Sequence, residues 1–164
     1  MPTMDDVYLG NPLLKKANVA QEFTQEQILE FMACKHDPVY FAKQHVKIVS
    51  LDEGLVPFKP YDFQEKLIKN FHDHRFNICK MPRQTGKSTT SVSYLLHYAV
   101  FNDNVNIGIL ANKAATARDL LGRLQTAYEN LPKWMQQGII SWNKGSLELE
   151  NGSKILAAST SASA

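Results

Sequence analysis

Eight consecutive residues, Met81-Pro82-Arg83-Gln84-Thr85-Gly86-Lys87-Ser88, bring together a glycine, an ammonium, a guanidinium and two hydroxyls. Such a set suits the holding of a polyphosphate. The stretch follows the pattern G-x-x-x-x-G-K-[ST] at the second glycine, the lysine and the hydroxyl, with Met81 where the first glycine would stand. Gly86 lets the backbone bring N–H groups against phosphate oxygens. Lys87 would set its charge on the β and γ phosphates, and Ser88 would supply a hydroxyl for Mg²⁺. A helix opening here would aim the positive end of its dipole at the same anion. Gln84, Thr85 and Thr89 complete the candidate loop. The bland alternative is an ordinary polar turn between a strand and a helix.

Two further residues carry chemistry. Arg83, inside the loop, is either a guanidinium able to reach the γ-phosphate and spread transition-state charge, or a solvated arginine on a turn. Gln64, in Tyr61-Asp62-Phe63-Gln64, is either an amide that pairs with an adenine edge beside a stacking ring, or a surface glutamine in a helix whose aromatics face the core.

These residues need elements to position them. Phe76 to Met81 is predicted to be a strand feeding the loop, and Val92, Leu95, Leu96 and Ala99 mark a helix leaving it and ending near Asn102. Val105 to Ala111 reads as a second strand. Ala117, Leu120, Leu121, Leu124 and Tyr128 mark another helix, closed by Leu131-Pro132. Strand, loop, helix, strand, helix is the order of a parallel α/β sheet with right-handed crossovers. Beyond it, Ser146 to Glu150 alternates, Asn151-Gly152 signals a hairpin turn, and Ser153 to Ala158 returns as the partner strand. Residues 159–164 bring no capping element.

Upstream, residues 1–20 read as a loose or docked arm. Thr24 and Gln27 match a capping box ahead of Ile28, Leu29, Phe31 and Met32, taken as one apolar helix face. Asp37-Pro38 opens a second helix with Val39, Phe41, Ala42 and Val46 on its buried side. Residues 50–60, with Gly54, Pro57 and Pro60, read as a loop or short extended segment, and a helix runs from about Asp62 to near His74.

Composition is that of an ordinary globular chain of 164 residues, 44% hydrophobic and 21% charged. A net charge of +2 is too small to argue for nucleic-acid binding. Cys34 and Cys79 form no CxxC or metal-ligand spacing, and Cys79, in an apolar run, is expected to be a buried free thiol in a reducing compartment. The start shows no basic region followed by an apolar stretch, and no run approaches the length of a membrane helix. A soluble intracellular protein is expected, with no membrane partner.

Pro82 to Ser88 resembles the deviant Walker A loop of the large terminase subunits of contractile-tailed bacteriophages, where arginine and glutamine precede x-G-K-[ST] and the first glycine is often missing. Similarity extends to Val39-Tyr40-Phe41-Ala42, to Tyr61-Asp62-Phe63-Gln64, to Gly108 through Lys113 and to Gly138 through Ser146, so that it spans the chain from about residue 8 onward. The resemblance implies a P-loop NTPase of the RecA/ASCE-like class. It would have a parallel sheet with flanking helices, incomplete within these residues and preceded by a small helical N-terminal segment. The expected division is an arm over 1–20, a helical subdomain over 21–60 and the first part of the ATPase domain over 61–164. The implied function is ATP-driven translocation of double-stranded DNA into proheads. By the same resemblance Arg83 acts on the γ-phosphate, Lys87 and Ser88 hold phosphate and Mg²⁺, Gln64 reads adenine with Phe63 beside it, and Lys113 couples to DNA or to ATP state. Implied partners are double-stranded DNA, a small terminase subunit, a portal protein and further copies in a ring, in the host cytoplasm and transiently at the portal.

ATP hydrolysis also needs a positioned base for water. The family's strand ending in Asp and Glu, its coupling motif and its nuclease domain are absent from these 164 residues. The expectation is a fragment that binds ATP without turning it over, with Phe76 to Met81 left as an exposed sheet edge. Two rival readings share the loop: the first motor lobe of a DNA helicase, and a non-catalytic nucleotide-binding regulatory module.

Overall fold

A computed structural model of the chain describes residues 6–50 and 52–160. The reading of residues 1–5 as part of the arm, and of 161–164 as an uncapped tail, lies outside them.

The rest of the arm is docked. Strands β1 (Val7–Tyr8) and β2 (Asn11–Lys15) pair antiparallel, and Leu14 is buried. The buried Gln136 side chain fastens this hairpin. Its Oε1 accepts from Lys15 N at 3.1 Å and its Nε2 donates to Leu13 O at 3.0 Å.

Helix α1 (Gln25–His36) starts on the expected capping box: Gln27 N donates to Thr24 Oγ1 at 3.2 Å and Thr24 N to Gln27 Oε1 at 3.1 Å. Its apolar face differs from expectation. Ile28, Leu29 and Met32 are exposed, Phe31 is partly buried, and the one fully buried residue of the helix is Cys34. Spacing defined an apolar stripe, but the neighbouring helix packs against the opposite side. Helix α2 (Pro38–His45) is capped by Asp37, whose Oδ1 accepts from Val39 N and Tyr40 N, with Pro38 at the first position. Val39, Phe41, Ala42 and Val46 are buried as expected. The segment read as loop or extended is a hairpin of β3 (Lys47–Ser50) and β4 (Gly54–Pro57). Helix α3 (Asp62–Asp73) follows.

The remaining elements are α4 (Lys87–Phe101), β5 (Asn106–Ala111), α5 (Ala114–Glu129), a short 3-10 turn at Lys133–Met135, and strands β6 (Ile139–Trp142), β7 (Ser146–Leu149) and β8 (Lys154–Ser159). The fold is α/β, but its four-stranded sheet is mixed and not parallel. In the order β5-β8-β7-β6, only β5 and β8 run parallel, while β7 pairs antiparallel with both neighbours. The tight Asn151-Gly152 turn causes this, because it returns β8 beside β7 and so brings β8 parallel to β5. Ile107, Ile109, Leu147, Leu149 and Ile155 face inward, with α5 packed on β5 and β8, whereas Leu110, Ile140 and Leu156 alternate onto an open face.

Phe76 to Met81 is not a strand. No ladder reaches it among the described residues, and Phe76, Ile78 and Cys79 are exposed. Its β-favouring residues have no neighbouring strand to bond, and propensity without a partner does not make a strand. The thiol expected to be buried, Cys79, is therefore exposed, and the buried one is Cys34.

A single buried cluster joins the arm, the helical segment and the later elements through Leu14, Phe41, Phe58, Ile68, Leu96 and Leu121.

Candidate functional site

Residues 82–86 turn the chain from the irregular segment into the first turn of α4. Two positions adopt left-handed backbone, Gln84 at φ 62° and Gly86 at φ 74°. For a glutamine this conformation is uncommon and costs free energy, so the surrounding loop must hold it. The loop holds itself together through Pro82, whose carbonyl accepts from Thr85 Oγ1 at 3.0 Å. Lys87 Nζ donates to the same carbonyl and to Met81 O at 3.0 Å. The ammonium thus lies against the loop's own main chain, and Lys87 shares the loop with Thr85. The first helical carbonyl bond of α4 runs from Thr90 N to Gly86 O, so the amides of Lys87, Ser88 and Thr89 have no acceptor within the helix. Free N–H groups, the helix dipole and an ammonium converge on one short turn, the arrangement that favours an anion. Ser88 and Arg83 are exposed beside it.

Gln64 reaches this loop from α3. It is buried; its Oε1 accepts from Tyr61 N at 2.9 Å and its Nε2 donates to Thr85 O at 3.1 Å. Sequence reasoning placed Gln64 at an adenine edge but missed this bond to the loop. The signal available was the Tyr61-x-x-Gln64 spacing, which makes Gln64 the third residue of a helix start. A primary amide offers two donors and two acceptor lone pairs, so each end keeps one site after these bonds. Tyr61 and Phe63 are exposed and stacked, ring centroids 5.8 Å apart and planes 9° from parallel.

Of the predicted site residues, the structure therefore brings Gln64, Thr85, Gly86 and Lys87 together, with Arg83, Gln84 and Ser88 on the same turn and Phe63 one residue before Gln64. Thr89 instead borders a cavity of about 610 Å³ between α4, α5 and β3. Lys113 occupies the N-cap position of α5, just after β5, without a side-chain capping bond.

Gly86 is fixed by more than its backbone angle: a β-carbon there would run into the Gln64 amide nitrogen. Gly86→Ala is expected to lower stability by about 1–2 kcal/mol, from the left-handed backbone and the displaced Gln64. Urea unfolding checks this, and combining it with Gln64→Ala should give a loss smaller than the sum, since the second change removes the obstructing amide.

A family model described as "Terminase large subunit, T4likevirus-type, N-terminal" matches residues 78–164, which begins just before the loop and takes in α4, α5 and the whole mixed sheet. The chain belongs to this family of phage large terminase subunits. That membership carries a DNA-packaging role, in a family that is generally an ATPase, and it sets the helicase reading aside. Among the described residues no helix is long and apolar enough to cross a membrane.

Proposed function

We propose that the chain is the nucleotide-holding part of a P-loop packaging ATPase and binds ATP with Mg²⁺ on residues 82–89. The observation that carries this is the position of Lys87 Nζ, held inside the loop by two main-chain carbonyls next to the free first-turn amides of α4. Phosphate oxygens are better partners for an ammonium than neutral carbonyls, so the loop is charged and shaped for the exchange. Lys87 and the α4 amides would hold phosphate, Ser88 would ligate Mg²⁺, and Arg83 would reach the γ-phosphate from the exposed side. Gln64 and Phe63 would bound the adenine. The nucleotide brings its own phosphoanhydride chemistry; the residues bind and orient it.

Within the described residues the two parallel strands run out into Asn112-Lys113 and Thr160, so neither ends in the Asp-Glu pair that would bind metal and activate water. On that ground these residues are proposed to bind ATP without turning it over. Double-stranded DNA, a small subunit, a portal and a ring of copies are the partners proposed for the complete motor, in the host cytoplasm and at the prohead.

Calorimetric titration of the chain with ATP and Mg²⁺ is expected to show saturable binding, and a colorimetric assay no phosphate release. Absence of any binding heat from well-folded chain would overturn the nucleotide site. Steady phosphate release that disappears in Lys87→Ala would overturn the statement on turnover.

A further inference from the structure

Far from the loop in sequence, α1 and α2 place three donor groups around one point. Glu30 and Cys34 lie four apart on α1 and therefore on one helix face, and His45 ends the adjoining α2. Glu30 Oε1 is 2.7 Å from His45 Nε2 and 3.6 Å from Cys34 Sγ, and one donor atom from each residue lies within 4.8 Å of the others. We propose that Glu30, Cys34 and His45 form a binding site for a thiophilic divalent cation of the zinc class, with a fourth position left to water.

The surroundings fit a metal site. Tyr40 Oη donates to Glu30 Oε2 at 3.0 Å, which orients the carboxylate and leaves Oε1 for the shared point. The His45 ring stands edge-on to Trp134 at 6.1 Å and near Phe41 at 6.3 Å, so its position is held by aromatic packing. Tetrahedral bonds of 2.0–2.3 Å put neighbouring donors about 3.4 Å apart. The Cys34–Glu30 separation already matches. The Glu30–His45 separation has to widen by roughly 0.7 Å, a small rotation of a half-exposed side chain. One thiolate, one imidazole and one carboxylate favour zinc over Mg²⁺, which takes oxygen donors. On loading, a metal–sulfur bond replaces the Cys34 S–H bond and that proton goes to solvent; Nε2 of His45 must also present its lone pair, with any proton there lost or carried on Nδ1. The cation would tie α1 to α2. Because Cys34 O accepts from His97 Nε2 at 2.8 Å, it would also brace α4, the helix that begins at the phosphate loop.

The test starts from chelator-stripped full chain re-equilibrated with zinc and dialysed. Elemental analysis is expected to find a zinc-to-chain ratio of about one, and competition with a chromogenic chelator is expected to show at least a roughly tenfold weaker affinity in Cys34→Ser and in Glu30→Gln. Cobalt(II) in place of zinc is expected to give a sulfur-to-cobalt charge-transfer band. A chain that retains no zinc, or variants that bind it as tightly as the parent, would overturn the site and leave the three residues as a hydrogen-bonded cluster. If either variant does not fold, the cobalt spectrum of the parent decides: a band supports the site, its absence rejects it.

Discussion

Lys87→Ala is expected to weaken ATP binding by roughly tenfold to a hundredfold while leaving the urea midpoint nearly where it was. Charge-assisted hydrogen bonds contribute about 1.5–3 kcal/mol each, and the substitution removes the only ammonium of the loop's motif. Stability is spared because Lys87 is half-exposed and its partners, the Met81 and Pro82 carbonyls, lie at the surface where water can replace it. Titration calorimetry beside a denaturation curve separates the two effects. Unchanged affinity would mean that the ammonium belongs to the loop's own architecture and not to a phosphate.

The second large effect concerns acid. His97, on α4, is buried among Phe41, Tyr94 and Phe101, with His72 ring-to-ring at 6.2 Å. Its Nε2 faces the Cys34 carbonyl, which can only accept, so Nε2 carries the proton in the neutral ring. The other nitrogen, Nδ1, is buried and lacks a hydrogen-bond partner. Burial pushes the imidazole down to about 4; the Cys34 carbonyl works against that shift and His72 adds to it. Above pH 6.5 neither the folded nor the unfolded chain protonates this ring. Between 6.5 and about 4 the unfolded chain takes the proton and the folded one does not, so stability falls as pH falls through that window. The loss approaches about 3 kcal/mol near pH 4. Urea midpoints at several pH values are expected to decline in that range, and His97→Leu to flatten the decline. A slope identical in the variant would exclude His97 as its source. Glu30 adds acid sensitivity lower down, since hydrogen bonding from His45 holds its carboxyl below the usual range.

Local grammar was legible throughout. Thr24 with Gln27, Asp37 with Pro38, and Asn151 with Gly152 each specify their structure within four residues, and each forms as read. The hydrophobic periods of α4, β5 and α5 also sufficed, because each of these elements buries one continuous face. What failed depended on a distant partner. Phe76 to Met81 has strand composition but no neighbouring strand to accept its bonds. The stripe on α1 has helical spacing but faces away from the core. Val7 to Lys15 and Ile139 to Trp142 lack a strong strand pattern of their own. β1 pairs with β2 across Leu9-Gly10 and β6 with β7 across residues 143–145, and the first hairpin is fastened by Gln136, 121 residues from Lys15. At the site, residue types pointed to the loop and to Gln64 separately. Their bond, from Gln64 Nε2 to Thr85 O, spans 21 residues and required the packing of α3 against α4.

The hairpin fastened by Gln136 also sets a schedule. Lys15 and Gln136 are separated by 121 residues, as are few other bonded groups in the molecule. During synthesis the first strands emerge long before their anchor exists, and closing so long a segment is entropically slow compared with the helices between. The amide of Lys15 should therefore be among the last to gain protection from hydrogen exchange on refolding, after those of α4 and α5.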